Sequence, residues 1–215
     1  THERALNLTR LIIIFSGLIL TISTSGPVFA QKKAAGGKVI AQERSLYGVA
    51  KGRVYTNRVL GMKLTVPQFM PIAEQSFIDI ALVSTAPAAP DKIFAGRRLL
   101  VKLLFNAEGY SPKSERLMRI TCTAMKLPPS HSNASGADVL NEQSASSGGP
   151  STRHDTLGVN KIAYIDQKTR FAANRSYSFV RKAHHVSCVM MYWTDDDLET
   201  MRSVLAEADL NWNGK

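Results

Sequence analysis

No familiar catalytic signature occurs in this sequence. It has no Gly-x-Ser-x-Gly elbow, no His-Glu-x-x-His, no Cys-x-x-Cys and no Gly-x-x-x-x-Gly-Lys loop. A nucleophile elbow, zinc proteolysis, dithiol redox chemistry and P-loop phosphate binding therefore all lack their usual residues. Cysteine is scarce, with Cys122 and Cys188 only. Acidic residues are also few: 17 Asp and Glu stand against 27 Lys and Arg, for a formal net charge of +10. The basic residues are scattered, without an arginine-rich helix or a basic-aromatic motif, which argues against a nucleic-acid partner. No internal repeat is present, and only one apolar stretch approaches the length of a membrane span.

That stretch opens the chain. Arg4 and Arg10 precede an apolar run from Leu11 to Ile22, and Val28-Phe29-Ala30 forms a small-residue site after Gly26-Pro27. Charged, apolar and small segments in that order predict a secretory signal over residues 1–30. The alternative is an uncleaved membrane anchor, but the run is short for a spanning helix. No cysteine follows the site, so a lipid-modified terminus is not expected. The expected location is periplasmic or extracellular, with no stable transmembrane segment after cleavage. An oxidising compartment lets Cys122 and Cys188 pair as a disulfide, while two buried free thiols remain the other reading.

Hydrophobic residues make up 44% of the chain and charged residues 20%, an ordinary globular balance. Residues 31–52 read as a flexible basic linker, and residues 53–212 as one domain. Met62, Leu64 and Val66 alternate with Lys63 and Thr65, the period of a strand, and Pro67 ends it. Residues 77–83 and 97–105 read as further strands, the second apolar on both faces. Ser111-Pro112 with Glu115 signals a helix start, followed by a stripe of Leu117, Ile120, Thr121, Ala124 and Met125. Residues 130–158, rich in Ser and Gly, read as a long loop. A strand at 161–166 and a hairpin over 176–193, turning near Lys182 to His185, come next. Thr194 then opens a closing helix with Asp195, Asp196 and Asp197 at its positive end.

Two segments resemble PsbP-like domains. Tyr55-Thr56-Asn57 leads into Gly61-Met62-Lys63-Leu64-Thr65-Val66-Pro67, and Tyr192-Trp193 leads into Thr194-Asp195-Asp196-Asp197-Leu198. The resemblance spans about residues 53–210. It implies an α+β fold in which an antiparallel sheet is sandwiched by helices, and a binding or assembly role without catalysis. Gln68-Phe69, where a Gly-Trp pair is common, and the insertion at 130–158 depart from that pattern.

Few residues suggest chemistry of their own. His184 and His185 are sequence neighbours, so on a strand they point to opposite faces and cannot share one ion. His131 or His154 would have to join one of them. Asp195 to Asp197 are better explained by helix capping than by a cation. A Cys122–His nucleophilic pair has little support, since Cys122 is placed within an expected helix and not at its N-terminus. Tyr110, Phe105 and the loop at Ser111 are candidates to rim a groove. Asn133 and Asn174 head glycosylation-type triplets. No catalytic, cofactor or metal residue is assigned.

The leading expectation is a non-catalytic exported module that docks on a membrane protein complex or an anionic envelope surface. The alternatives are a small-ligand or lipid carrier, and a hydrolase or metal enzyme with a dispersed site.

Overall fold

A computed structural model describes residues 46–73, 78–83, 89, 91–147, 149–157, 160–168 and 172–211. The expected signal at 1–30 and most of the expected linker lie outside the described residues. The last part of that linker is ordered: Leu46 and Tyr47 are buried, and β1 spans Val49–Lys51. With β2 (Val54–Asn57) and β3 (Met62–Thr65) it forms a small antiparallel sheet, β1-β2-β3.

The Tyr-x-Asn motif explains this sheet. Asn57 Nδ2 donates to the Leu46 carbonyl at 2.7 Å and to Tyr55 Oη at 2.9 Å, while its Oδ1 accepts from Leu60 N. Tyr55 Oη donates to the Tyr47 carbonyl. Both residues are fully buried, so each polar atom needs the partner it has.

A seven-stranded antiparallel sheet forms the body, in the order β4-β5-β6-β10-β9-β8-β7. Its strands are β4 (Asp79–Val83), β5 (Arg98–Tyr110), β6 (Leu117–Lys126), β7 (Arg153–Leu157), β8 (Asn160–Lys168), β9 (Ala173–Arg181) and β10 (His184–Tyr192). Among the described residues two α-helices accompany it, α1 (Gly136–Ser147) and α2 (Asp195–Ala206). The β9–β10 hairpin turns at Lys182 and Ala183, both with positive φ.

This architecture corrects the expected helix-sandwiched α+β fold. Among the described residues antiparallel strand predominates, in two sheets. On one face of the large sheet, β1–β3 and α2 together enclose the main core, in which Leu198, Met201, Val204 and Leu205 meet Ile120, Cys122, Cys188 and Met190. On the other face α1 sits on β8, β9 and β10 at one end only. Beyond it Asn106, Thr121, Asn174 and Ser176 lie half-exposed.

The expected helix after Ser111 is the main reason for the difference. Ser111 Oγ does accept from Lys113 N and Ser114 N, as an N-cap would. The turn stops at Glu115, whose φ is 54°. The following residues bury Met118, Ile120, Cys122 and Ala124 at a spacing of two and form β6 between β5 and β10. The expected loop at 130–158 instead contains α1 and β7. A register shift between Leu103 and Phe105 turns Phe105 to the opposite face from Val101. The apolar face expected to cover Leu100 is absent there: Leu100 is 51% exposed.

Candidate functional site

Charged groups gather in two places, with different consequences. At the β7–β8–β9 edge, Arg175 donates to Asp166 through Nε and Nη2, at 2.7 and 2.9 Å, and stacks 4.1 Å over the Tyr164 ring. Arg202 of α2 holds Asp155, which also accepts from Tyr177 Oη at 2.9 Å. Burial pushes the Tyr177 phenol well above its ordinary range. Cations and carboxylates are matched here, and the cluster fastens α2 to the sheet.

The other gathering is at the β9–β10 hairpin end, and cations dominate it. Cross-strand register sets Lys126, His184 and Arg181 in one row over β6, β10 and β9. Lys182 at the hairpin tip donates to the Arg58 carbonyl at 3.2 Å. Burial, joined by the Lys126 charge, draws His184 below the usual imidazole range. Three carboxylates of the fold accept from backbone N–H groups. Asp138 accepts from Ser135 N at the start of α1, Glu142 accepts from Ile93 N and Phe94 N, and Asp209 accepts from Asn211 N.

On the α1 side of this end lies an open cavity of about 490 Å³. The chain at 132–137, His154, Lys161, Ser178, Val180 and Lys182 line it. Ser178 Oγ stands 2.9 Å from the Gly136 carbonyl and 2.7 Å from His185 Nε2. The hydroxyl donates its one proton to the Gly136 carbonyl, which leaves it to accept from His185 in the tautomer that carries its proton on Nε2. Ser178 is 1% exposed and His185 is 4% exposed. Burial pushes the His185 imidazole down to about 4, so it is neutral near pH 7. A sealed hydroxyl beside a weak base is not a poised nucleophile.

The residues singled out in the sequence do not converge. His184 and His185 face opposite sides of the sheet, His131 bonds Ser130 Oγ through Nδ1, and His154 stands on β7. Among the described residues no group of three His, Cys, Asp or Glu is placed to hold a metal. Cys122 and Cys188 form a disulfide across directly paired positions of β6 and β10, which removes the thiol nucleophile. Thr194 and Asp197 make a capping box on α2, and Asp196 pairs with Lys113 at 2.9 Å. Tyr110 is 69% exposed while Phe105 is buried, so they do not rim a common groove. Asn133 lines the cavity and Asn174 lies on β9. Lys126, Arg181, Lys182 and Ser178 were not singled out. Register places Lys126 in the row of His184 and Arg181, and sets Ser178 on the opposite face.

No helix among the described residues is long and apolar enough to cross a membrane. No family model matches the chain, and no curated protein matches it. A crystal structure from Bacteroides thetaiotaomicron VPI-5482 is similar at 13% identity, with a TM-score of 0.41, over 77% of this chain and 51% of that one. This chain thus spans about half the length of that protein.

Proposed function

We propose that this chain is a non-catalytic exported binding module that docks on a membrane complex or an envelope component. The observation that carries the proposal is the hairpin end, where strand register and the β9–β10 turn bring Lys126, Arg181 and Lys182 together. A basic end of this kind attracts an acidic surface by a screened, salt-sensitive force. The resemblance of the two end motifs to PsbP-like domains accords with a binding role. Among the described residues one helix packs on part of each face where the resemblance implied full helix layers, so the proposal rests on the surface.

The alternatives draw less support. The cavity is open and lined in large part by polar groups, unlike a lipid-carrier interior. The Ser178–His185 pair is sealed, and the described histidines are dispersed. The test is sedimentation of the full chain with isolated cell envelopes. Binding at low salt that is released at high salt is expected. A chain that stays in the supernatant at low salt overturns the proposal.

A further inference from the structure

The basic end continues into an apolar strip. On β4 and β5, Val83 is paired with Arg98 and Ala81 with Leu100. Val101 is paired with Met125, so the register sets Lys126 beside Leu100. His184 and Arg181 extend the same row. Val83 is 58% exposed and Leu100 is 51% exposed, and both share a face with Arg98 and Lys126. This end of the sheet thus presents two exposed aliphatic side chains with Arg98 and Lys126 beside them, and the Lys102–Asp79 ion pair follows on the same face.

Resting on the docking proposal, we propose that this strip, Val83, Leu100, Arg98, Lys126 and Lys182, seats on the anionic phospholipid of a bilayer. Its composition discriminates between partners. Protein interfaces are centred on buried aromatic and Arg anchors and are depleted in Lys. This strip has no aromatic anchor and two lysines. Lys and Arg lay their alkyl stems along apolar surface and lift the charge to the headgroups. Each cation near an anionic leaflet strengthens binding about five-fold, and the attraction fades within a Debye length. Val83 and Leu100 add shallow apolar contact that zwitterionic lipid alone does not reinforce.

The test uses the full chain and protein-free vesicles, either phosphatidylcholine alone or phosphatidylcholine mixed with phosphatidylglycerol. The variant R98Q/K126Q/K182Q is compared with K113Q/R116Q/K168Q, which removes equal charge at the opposite end of the sheet. Because both keep the N-terminal apolar segment, its own lipid affinity cancels. Unchanged thermal unfolding confirms that each variant is folded. The strip variant is expected to bind phosphatidylglycerol vesicles about 100-fold more weakly than the parent. The control is expected to remain within about two-fold, and V83T/L100Q to weaken binding further at high salt. Equal losses in both triple variants, or none in the strip variant, overturn the inference. Sedimentation with native envelopes but not with anionic vesicles also overturns it, and leaves docking on an envelope protein standing.

Discussion

Arg202 of α2 meets Asp155 of β7 through two parallel hydrogen bonds, Nη2 to Oδ1 at 2.7 Å and Nε to Oδ2 at 2.9 Å. The contact joins residues far apart in sequence and fixes the closing helix on an edge strand. Asp155 is 13% exposed at its side chain, and Arg175 and Tyr177 approach the same carboxylate. Asp155→Ala leaves two guanidinium groups and a phenol without it, and a loss of about 3 kcal/mol is expected from urea unfolding. Arg202→Met alone is expected to cost less, because Arg175 still compensates Asp155. The double variant should cost less than the sum of the two singles, and strict additivity would refute the clamp.

The Cys122–Cys188 disulfide lies at the centre of the sheet and closes a span of 66 residues. In the chain-entropy model such a closure stabilises the fold by about 4 kcal/mol. Backbone pairs from Lys126↔His184 to Arg119↔Met191 join the two strands on either side of it. The variant C122A/C188A is therefore expected to keep the β-rich circular dichroism of the parent while its urea midpoint falls. The reduced parent should fall by a similar amount. A variant as stable as the oxidised parent would show that the bridge contributes nothing.

The parts legible in the sequence were those with strong local patterns. Met62-Lys63-Leu64-Thr65 alternates cleanly and is a strand, and Thr194 with Asp197 caps a helix as their types suggest. Residues 117–126 read as a helix, wrongly, because Ile120 and Ala124 fit a helical stripe as well as they fit the alternating strand that forms. Pairing with β5 and β10 decided between them. Helix α1 was hidden because its buried apolar residues are few, chiefly Val139 and Leu140, in a Ser-rich stretch. The basic row was not legible at all. Arg181 meets His184 across the hairpin turn, but Lys126 becomes its neighbour only through long-range register, which no spacing announces.

Gly136 offers a sharper test of how α1 is seated. A Cβ there would lie 2.2 Å from the Ser178 carbonyl oxygen and 2.5 Å from its carbon. Both are backbone atoms of β9, so the strand or the helix start has to move. Gly136→Ala is expected to destabilise the fold by about 2 kcal/mol despite its better helix propensity. It should also loosen the Ser178–His185 contact, seen as a shift in the His185 imidazole resonances. A stabilised variant would mean that α1 is not pressed against β9.

His185 predicts the shape of acid unfolding. Its imidazole is pushed by burial from 6.5 down to about 4 in the folded chain. Between those values the unfolded chain binds a proton that the folded chain refuses. Stability therefore decreases as the pH falls from about 6.5 to about 4, and this group contributes nothing further below that. The difference corresponds to about 3 kcal/mol. Carboxylates held low by hydrogen bonds, such as Asp138, also lose stability in acid, so the parent profile alone does not isolate the histidine. His185→Gln does isolate it, because glutamine can still bond Ser178 Oγ and does not titrate. Urea unfolding across this pH range is expected to give a parent curve steeper than that of the variant by about that amount. Parallel curves would mean that His185 is already solvated, and that the end of the sheet beneath α1 is open to water.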